Sequence, residues 1–320
     1  VIPVGYVDPR PDALERAGAA ASAAPTFSSP SVALAAVAAD IALVVTPPDS
    51  RVPLVSALLE RGLHVLVEKP LALTLADALT MVRAAERAGR QLGLVQNFRY
   101  LPVTRATREL VLGRRHGAPT FATVLYIRNR DGWAPHLNKY PLVMEHPMLL
   151  EQSIHHLDLF RFVYACEPQD VTCTTWNPPG SPYRGDACVA ALIRMRDGPV
   201  VVYEGTWVSG SDTIEFQWRT DCEQGVIVQR SLFGDLSEGE RAEADLRPVP
   251  LAPAEPFITD SVALLEEFVL ACRAGQRFGS DGRDHLRTLA LTMACAESAA
   301  SARRVSVPDF ARQHGLDIFA

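Results

Sequence analysis

What this chain lacks narrows it first. Its six cysteines, Cys166, Cys173, Cys188, Cys222, Cys272 and Cys295, form no C-x-x-C pair. That argues against a zinc knuckle or a disulfide framework, and for free thiols in a reducing cytoplasm. There is no block of lysine and arginine and no basic-aromatic stripe, and the net charge is -6, so nucleic acid is not an expected partner. The apolar runs are strand-length or broken by charge, too short to cross a membrane. No charged-then-apolar leader opens the chain, which speaks against a secretory signal.

What is present is 320 residues of 48% hydrophobic content, enough for two domains with cores of their own. In the first third, β-branched runs alternate with alanine-rich helical ones. Ile2 to Val7 reads as a strand ending at Asp8, with helices over Asp12 to Ala20 and Ser31 to Ala38. Ile41 to Val45 is uniformly apolar, the pattern of a strand covered on both faces. Thr46-Pro47-Pro48 then turns the chain, and Asp49 is placed to cap a helix reaching Arg61. A strand over His64 to Val67, a helix over Thr74 to Ala88 capped by Thr74, and a strand over Gln91 to Val95 follow. Such alternation predicts a parallel sheet with crossover helices.

The pattern changes near Pro102. A helix to Leu112 leads into longer, alternating strands over Thr120 to Arg128, Val171 to Trp176, Ala187 to Arg194, Val200 to Trp207, Ile214 to Arg219 and Gly225 to Gln229. These predict one antiparallel sheet. A helix over Leu149 to Tyr164 interrupts the strands, and helices over Asp260 to Ala274 and Asp281 to Arg303 close the chain.

The candidate chemistry gathers at the ends of the first strands, where open α/β sheets bind ligands. Asp8 is placed to grip the ribose hydroxyls of NAD, whereas Arg10 suits the 2′-phosphate of NADP; both stay open. Thr46-Pro47-Pro48 forms a stiff turn able to lie against a nicotinamide or ribose, or simply to start a helix. The third strand delivers Glu68-Lys69-Pro70, in which Glu68 can pair with a lysine or a ribose hydroxyl. A lysine beside a cofactor and a substrate hydroxyl can stabilise a developing oxyanion.

Taken in order, Thr46-Pro47-Pro48, Gly62-Leu63-His64-Val65 before Glu68-Lys69-Pro70, and Gln96-Asn97-Phe98-Arg99-Tyr100 resemble the Gfo/Idh/MocA oxidoreductases. The similarity continues through Leu149-Leu150-Glu151-Gln152-Ser153-Ile154-His155-His156-Leu157-Asp158, Asp281-Gly282-Arg283 and Ala296-Glu297-Ser298. The resemblance implies an α/β fold class: a Rossmann-type dinucleotide-binding domain over residues 1–101, then an α+β domain over 102–320 with a mostly antiparallel open sheet. It implies hydride transfer between NAD or NADP and a secondary alcohol of a sugar, inositol or related polyol, in a homodimer or homotetramer paired through the sheet's outer face. Two other readings stay beside it: a glycoside hydrolase working by oxidation and elimination, and a non-catalytic sugar sensor or scaffold.

The same resemblance makes Lys69 the catalytic lysine and His155 the residue exchanging the substrate hydroxyl's proton. Glu151 stands in the place of an aspartate, four residues earlier. On an α-helix that spacing puts Glu151 and His155 on one face, where the carboxylate would bind hydroxyls and raise the imidazole's basicity. Asp158 is a candidate to orient His155, and of the two adjacent histidines only one should face the cleft. Arg51 stands where a histidine is common after the Thr-Pro turn, and with Asn97 it joins the expected cofactor-binding set. Arg99, Tyr126, Arg128 and Trp133 are the further substrate candidates, within a polar-aromatic stretch that continues through Asn129, His136, Lys139 and Tyr140 and suits a sugar or a subunit contact. A metal reading through His146, His155, His156, Glu151 and Asp158 ranks lower, because Lys69 supplies the positive charge. One departure stands out: no G-x-G-x-x-G loop precedes Asp8. The expectation is that roughly 25 upstream residues carry that loop with its strand and helix.

Overall fold

A computed structural model describes residues 1–20, 24–130, 132–134 and 137–319. The first part alternates β1 (Tyr6–Val7), α1 (Pro11–Ala20), β2 (Thr26–Phe27), α2 (Pro30–Ala36), β3 (Ile41–Val44), α3 (Arg51–Glu60), β4 (His64–Glu68), α4 (Leu75–Ala88) and β5 (Leu92–Val95). Strands β3, β4 and β5 pair in parallel in that order, and β1 pairs in parallel with β2 as a separate ribbon. Leu43 and Val45 are 60% and 66% exposed along the β3 side.

Helix α4 shows how the sequence writes its own element. The Thr74 hydroxyl accepts a hydrogen bond from the Asp77 amide at 3.1 Å, satisfying an orphan donor of the first turn. Leu75, Ala78, Met81, Val82 and Ala85 recur at helical spacing and are buried. Gly89, with φ +60°, then takes the left-handed conformation that ends the helix. In β4, Val65, Leu66 and Val67 are all buried because both faces are covered. Val65 and Val67 face the main core, and Leu66 packs with Phe268 and Phe278 from the chain's last quarter.

After α5 (Pro102–Leu112) come β6 (Pro119–Ile127), α6 (Ile154–Tyr164), β7 (Pro168–Trp176), β8 (Cys188–Met195), β9 (Val200–Thr206), β10 (Glu215–Cys222), β11 (Gly225–Ser231), β12 (Gly234–Glu240), β13 (Arg247–Pro248), α7 (Thr259–Ala274), α8 (Gly282–Ser301), β14 (Val305–Ser306) and α9 (Val307–Gln313). One nine-stranded sheet runs β13-β12-β11-β10-β6-β9-β8-β7-β14. Only β6 and β9 pair in parallel. Its inner face packs on α6, with Phe160 edge-on to Trp218 at 5.4 Å.

Several expected elements differ. The opening strand shrinks from Ile2–Val7 to Tyr6–Val7. Asp49 caps nothing: Pro48 opens a tight 3-10 turn through Ser50, and α3 starts only at Arg51. The helix expected over Leu149 to Tyr164 begins as a wider π-helical turn, Met148–Ser153, before α6. β12, with the polar sequence GDLSEGE, carries little strand propensity and exists by pairing with β11. The expectation of two closing helices missed β14 and α9, although Ser306 caps α9 through the Asp309 amide.

Candidate active site

The C-terminal ends of β3, β4 and β5 bring three turns together, and Arg51 straps two of them. This side chain is 2% exposed. Its Nε donates to the Thr46 carbonyl at 2.8 Å, and Nη1 donates to the carbonyls of Glu68 and Pro70. A buried guanidinium whose donors go to backbone carbonyls fixes where the two turns lie. Arg51, expected to touch the cofactor, is largely committed to this strap. The Lys69-Pro70 peptide bond is cis.

The Lys69 ammonium, side chain 12% exposed, donates to the Glu151 carbonyl at 2.7 Å and to Glu151 Oε2 at 3.0 Å. The π-helical turn therefore presents both its backbone and its carboxylate to Lys69, a setting in which such turns are often functional. Glu151 Oε1 accepts from the Tyr140 hydroxyl at 2.7 Å. Burial, then the adjacent Glu151 carboxylate, push the Tyr140 phenol well above its ordinary value, so it stays a donor. Burial also pushes Glu68 up, against the opposing pull of Lys69 and Arg51.

The expected carboxylate–histidine pair is not what forms. Glu151 engages Lys69 and Tyr140, whereas His155 Nδ1 lies 3.0 Å from Gln96 Oε1 and its ring stacks on Phe98 at 4.4 Å. Burial first and Lys69 second hold the His155 imidazole well below its ordinary value. Its environment thus lowers basicity, opposite to the rise expected from Glu151. Gln96 Nε2 in turn lies 3.3 Å from His285 Nδ1, and His285 Nε2 accepts from the Leu71 amide. His156 points the other way, with Nδ1 3.0 Å from the Tyr203 hydroxyl.

Two further expectations fail on geometry. Asp158 does not orient His155; its oxygens take Arg99 at 2.6 Å and the Thr288 hydroxyl at 2.8 Å. Arg99, expected at the substrate, is 6% exposed and locked between Asp158 and Asp284, outside the cavities described next. Two facing carboxylates make this arginine a buried strut instead of a substrate contact.

Two cavities meet here. One, of about 340 Å³, is lined by Thr46, Pro47, Arg51, Tyr140 and the trio Glu68, Lys69 and Glu151. The other, of about 560 Å³, is lined by the same trio together with Asn97, His155, Tyr126 and Arg128. Asn97 also donates to Asp260 at 2.5 Å. Pro48 is buried in its turn. Asp8 and Arg10 form an ion pair of their own at 3.0 Å near the surface and line neither cavity. Trp133, 65% exposed, also lines neither, and His136 lies outside the described residues. Among the described residues no group of three or more His, Cys, Asp or Glu side chains is placed to hold a metal ion.

The roles of Gln96, Tyr140 and Arg130 were missed. Gln96 directly follows β5, so strand-end position is the signal that finds it. Arg130 lies two residues beyond Arg128, the strand period.

The model for the oxidoreductase family with an NAD-binding Rossmann fold matches residues 3–96, and that for the GFO/IDH/MocA C-terminal domain matches 104–228. The chain is 29% identical to a D-apiose dehydrogenase of Paraburkholderia graminis, over 95% of this chain and 82% of that one. It is 25% identical to an uncharacterized protein of Sinorhizobium fredii, over 97% and 89% respectively. An oxidoreductase from Agrobacterium radiobacter, solved with NAD+, L-tartaric acid and magnesium, shares the fold. Its TM-score is 0.85 at 22% identity, covering 96% of this chain and 91% of that one.

Proposed function

The chain belongs to the Gfo/Idh/MocA family of oxidoreductases, with its NAD-binding Rossmann fold, and from that premise we propose that it transfers a hydride between a nicotinamide and a secondary alcohol carbon of a sugar, inositol or related polyol. The observation that carries the reading is the shared wall: Glu68, Lys69 and Glu151 line both cavities. Cofactor on one side and substrate on the other would meet at Lys69. We divide the chain accordingly, with residues 1–101 holding cofactor and 102–320 holding substrate.

The smaller cavity fits the nicotinamide end. Thr46 Oγ1 is buried there with no hydrogen-bond partner among the described residues, a cost that a carboxamide or ribose hydroxyl would offset. Thr46, Pro47 and Glu68 would hold that end, Pro48 and Arg51 would stiffen the turn beneath it, and Asp8 or Arg10 would meet the far ribose. The bound nicotinamide supplies the hydride acceptor or donor. Everything else falls to the protein. A neutral His155 with Nδ1 on Gln96 takes the hydroxyl proton at Nε2, the Lys69 ammonium stabilises the alkoxide, and Glu151 holds Lys69 while accepting from substrate hydroxyls. Asn97, Tyr126 and Arg128 complete the substrate wall.

Gln96 then sets which nitrogen of His155 is the base. Gln96→Leu is expected to lower kcat by about tenfold, the worth of one buried hydrogen bond. Gln96→Glu places a carboxylate on Nδ1, favours the imidazolium and should move the acid limb of the kcat/KM profile up by about one pH unit. An unmoved limb in Gln96→Glu rejects this role for Gln96.

The function itself is tested by screening polyols and aldoses with NAD+ and NADP+ on the full-length protein, reading reduced-nicotinamide fluorescence. Turnover with either cofactor supports it, and failure to bind both sinks it. The outer face of the large sheet exposes Phe121, Leu192 and Trp176, an apolar patch that suits pairing in a homodimer or homotetramer, which light scattering would measure. The six free thiols suit a reducing cytoplasm.

A further inference from the structure

The polar lining of the larger cavity is lopsided toward donors and positive charge. Tyr126, Arg128 and Arg130 alternate along the end of β6 and just beyond it, and all three line the cavity. Successive strand side chains face opposite ways, so these three share the face that looks onto α6, where Tyr126 lies 5.1 Å from His156.

Neither arginine makes an ion pair among the described residues. Arg128 faces the Tyr126 phenol, whose pKa burial pushes up and the nearby guanidinium pulls back. Arg130 donates to the Tyr183 hydroxyl at 3.1 Å and stacks over Trp207 at 4.5 Å. Trp207 is 2% exposed, and its indole N–H is buried with no acceptor among the described residues. By contrast, the buried guanidinium groups of Arg99 and Arg161 are neutralised by Asp158, Asp284 and Glu167.

The cavity's own carboxylates do not balance this. Glu151 is already shared between Lys69 and Tyr140, and Glu68 lies beside Lys69 and Arg51, which pull its carboxyl down against its burial. The hydroxyls of a neutral sugar both donate and accept, but they bring no charge to offset two guanidinium groups. A wall of two uncompensated guanidinium groups and an orphan indole N–H asks for an acceptor that carries negative charge, and a planar carboxylate matches the guanidinium fork.

We infer that the substrate is a polyhydroxylated carboxylate, an aldonic or uronic acid, whose carboxylate is bound by Arg128 and Arg130 while the carbinol to be oxidised faces Lys69 and His155. This rests on the dehydrogenase reading above and narrows it. The guanidinium groups set which end of the substrate lies deep against Trp207, and hence which carbon reaches the shared wall.

The test pairs D-glucose with D-glucuronate and D-gluconate, and adds glucose 6-phosphate, on the full-length protein and on Arg128→Met and Arg130→Met. The wild type is expected to show a kcat/KM at least about tenfold higher for an acid than for glucose. In either variant that preference should fall by about 10–100-fold, mainly through KM for the acid. Glucose matching the acids, the phosphate outrunning them, or both substrate types losing equally in the variants overturns the inference, while the dehydrogenase reading stands. If no sugar is turned over with either nicotinamide, that reading falls. The carboxylate site is then judged by calorimetric titration of glucuronate and gluconate: binding lost in Arg130→Met keeps it, and equal binding in variant and wild type overturns it.

Discussion

Lys69→Met is expected to lower turnover by about 10²–10⁴ while NADH binding stays within about threefold of wild type. The ammonium sits on the wall between the two cavities and is held by two oxygens of one residue, the carbonyl and carboxylate of Glu151. Little of it is exposed, so the charge acts in a medium where Coulomb energy is poorly screened, and an alkoxide forming beside it is strongly favoured. Methionine keeps the length and removes the charge. Lys69→Arg restores the charge but replaces a point donor with a planar fork, so it should recover only a small part of the rate. His155→Ala should cost a similar factor, with the acid limb of the pH profile lost as well. Steady-state kinetics with fluorescence titration of NADH separate these outcomes, and a Lys69→Met protein retaining more than about a tenth of wild-type kcat would remove Lys69 from the chemistry.

How far such a site is legible in sequence depends on what each residue answers to. Lys69 is legible because it closes a strand and lies in the Glu68-Lys69-Pro70 turn that carries the family resemblance. Thr74 and the buried stripe of α4 were legible because capping and helical period are local physics. Glu151 was found, but its partner was misread. Pairing Glu151 with His155 requires α-helical geometry between them, and that segment opens instead with a π-helical turn that nothing in the local pattern announces. Arg99 was misread for another reason: its role depends on Asp284, at the start of α8. Sequence reading follows neighbours along the chain, and a buried ion pair that joins distant segments leaves no periodic trace.

Three buried histidines carry the last consequence, a loss of stability on mild acidification. Burial holds His156 down to about 3, His285 down to about 4, and His155 well below its ordinary value. In the unfolded chain each returns to about 6.5. Below that pH the unfolded state binds more protons than the folded one, so stability falls as pH drops from about 6.5 toward the folded values. Integrated from pH 7 to 5, His156 and His285 each contribute about 2 kcal/mol, roughly 4 kcal/mol together, and His155 adds in the same direction. That is a large part of the whole stability of many domains. The acid-sensitive carboxylate Asp284, held low against its own burial by Arg99 and Arg161, adds its loss from the ordinary carboxylate range downward, below about pH 5, and so does not confuse this window. His156 is the cleanest probe, because burial alone shifts it and it lines neither cavity. His156→Gln keeps a donor for the Tyr203 hydroxyl and cannot take up a proton. Urea unfolding at pH 7 and pH 5 should show the variant losing about 2 kcal/mol less than wild type between the two, whatever its stability at pH 7. An identical loss in both proteins would mean that His156 is not held neutral by the fold.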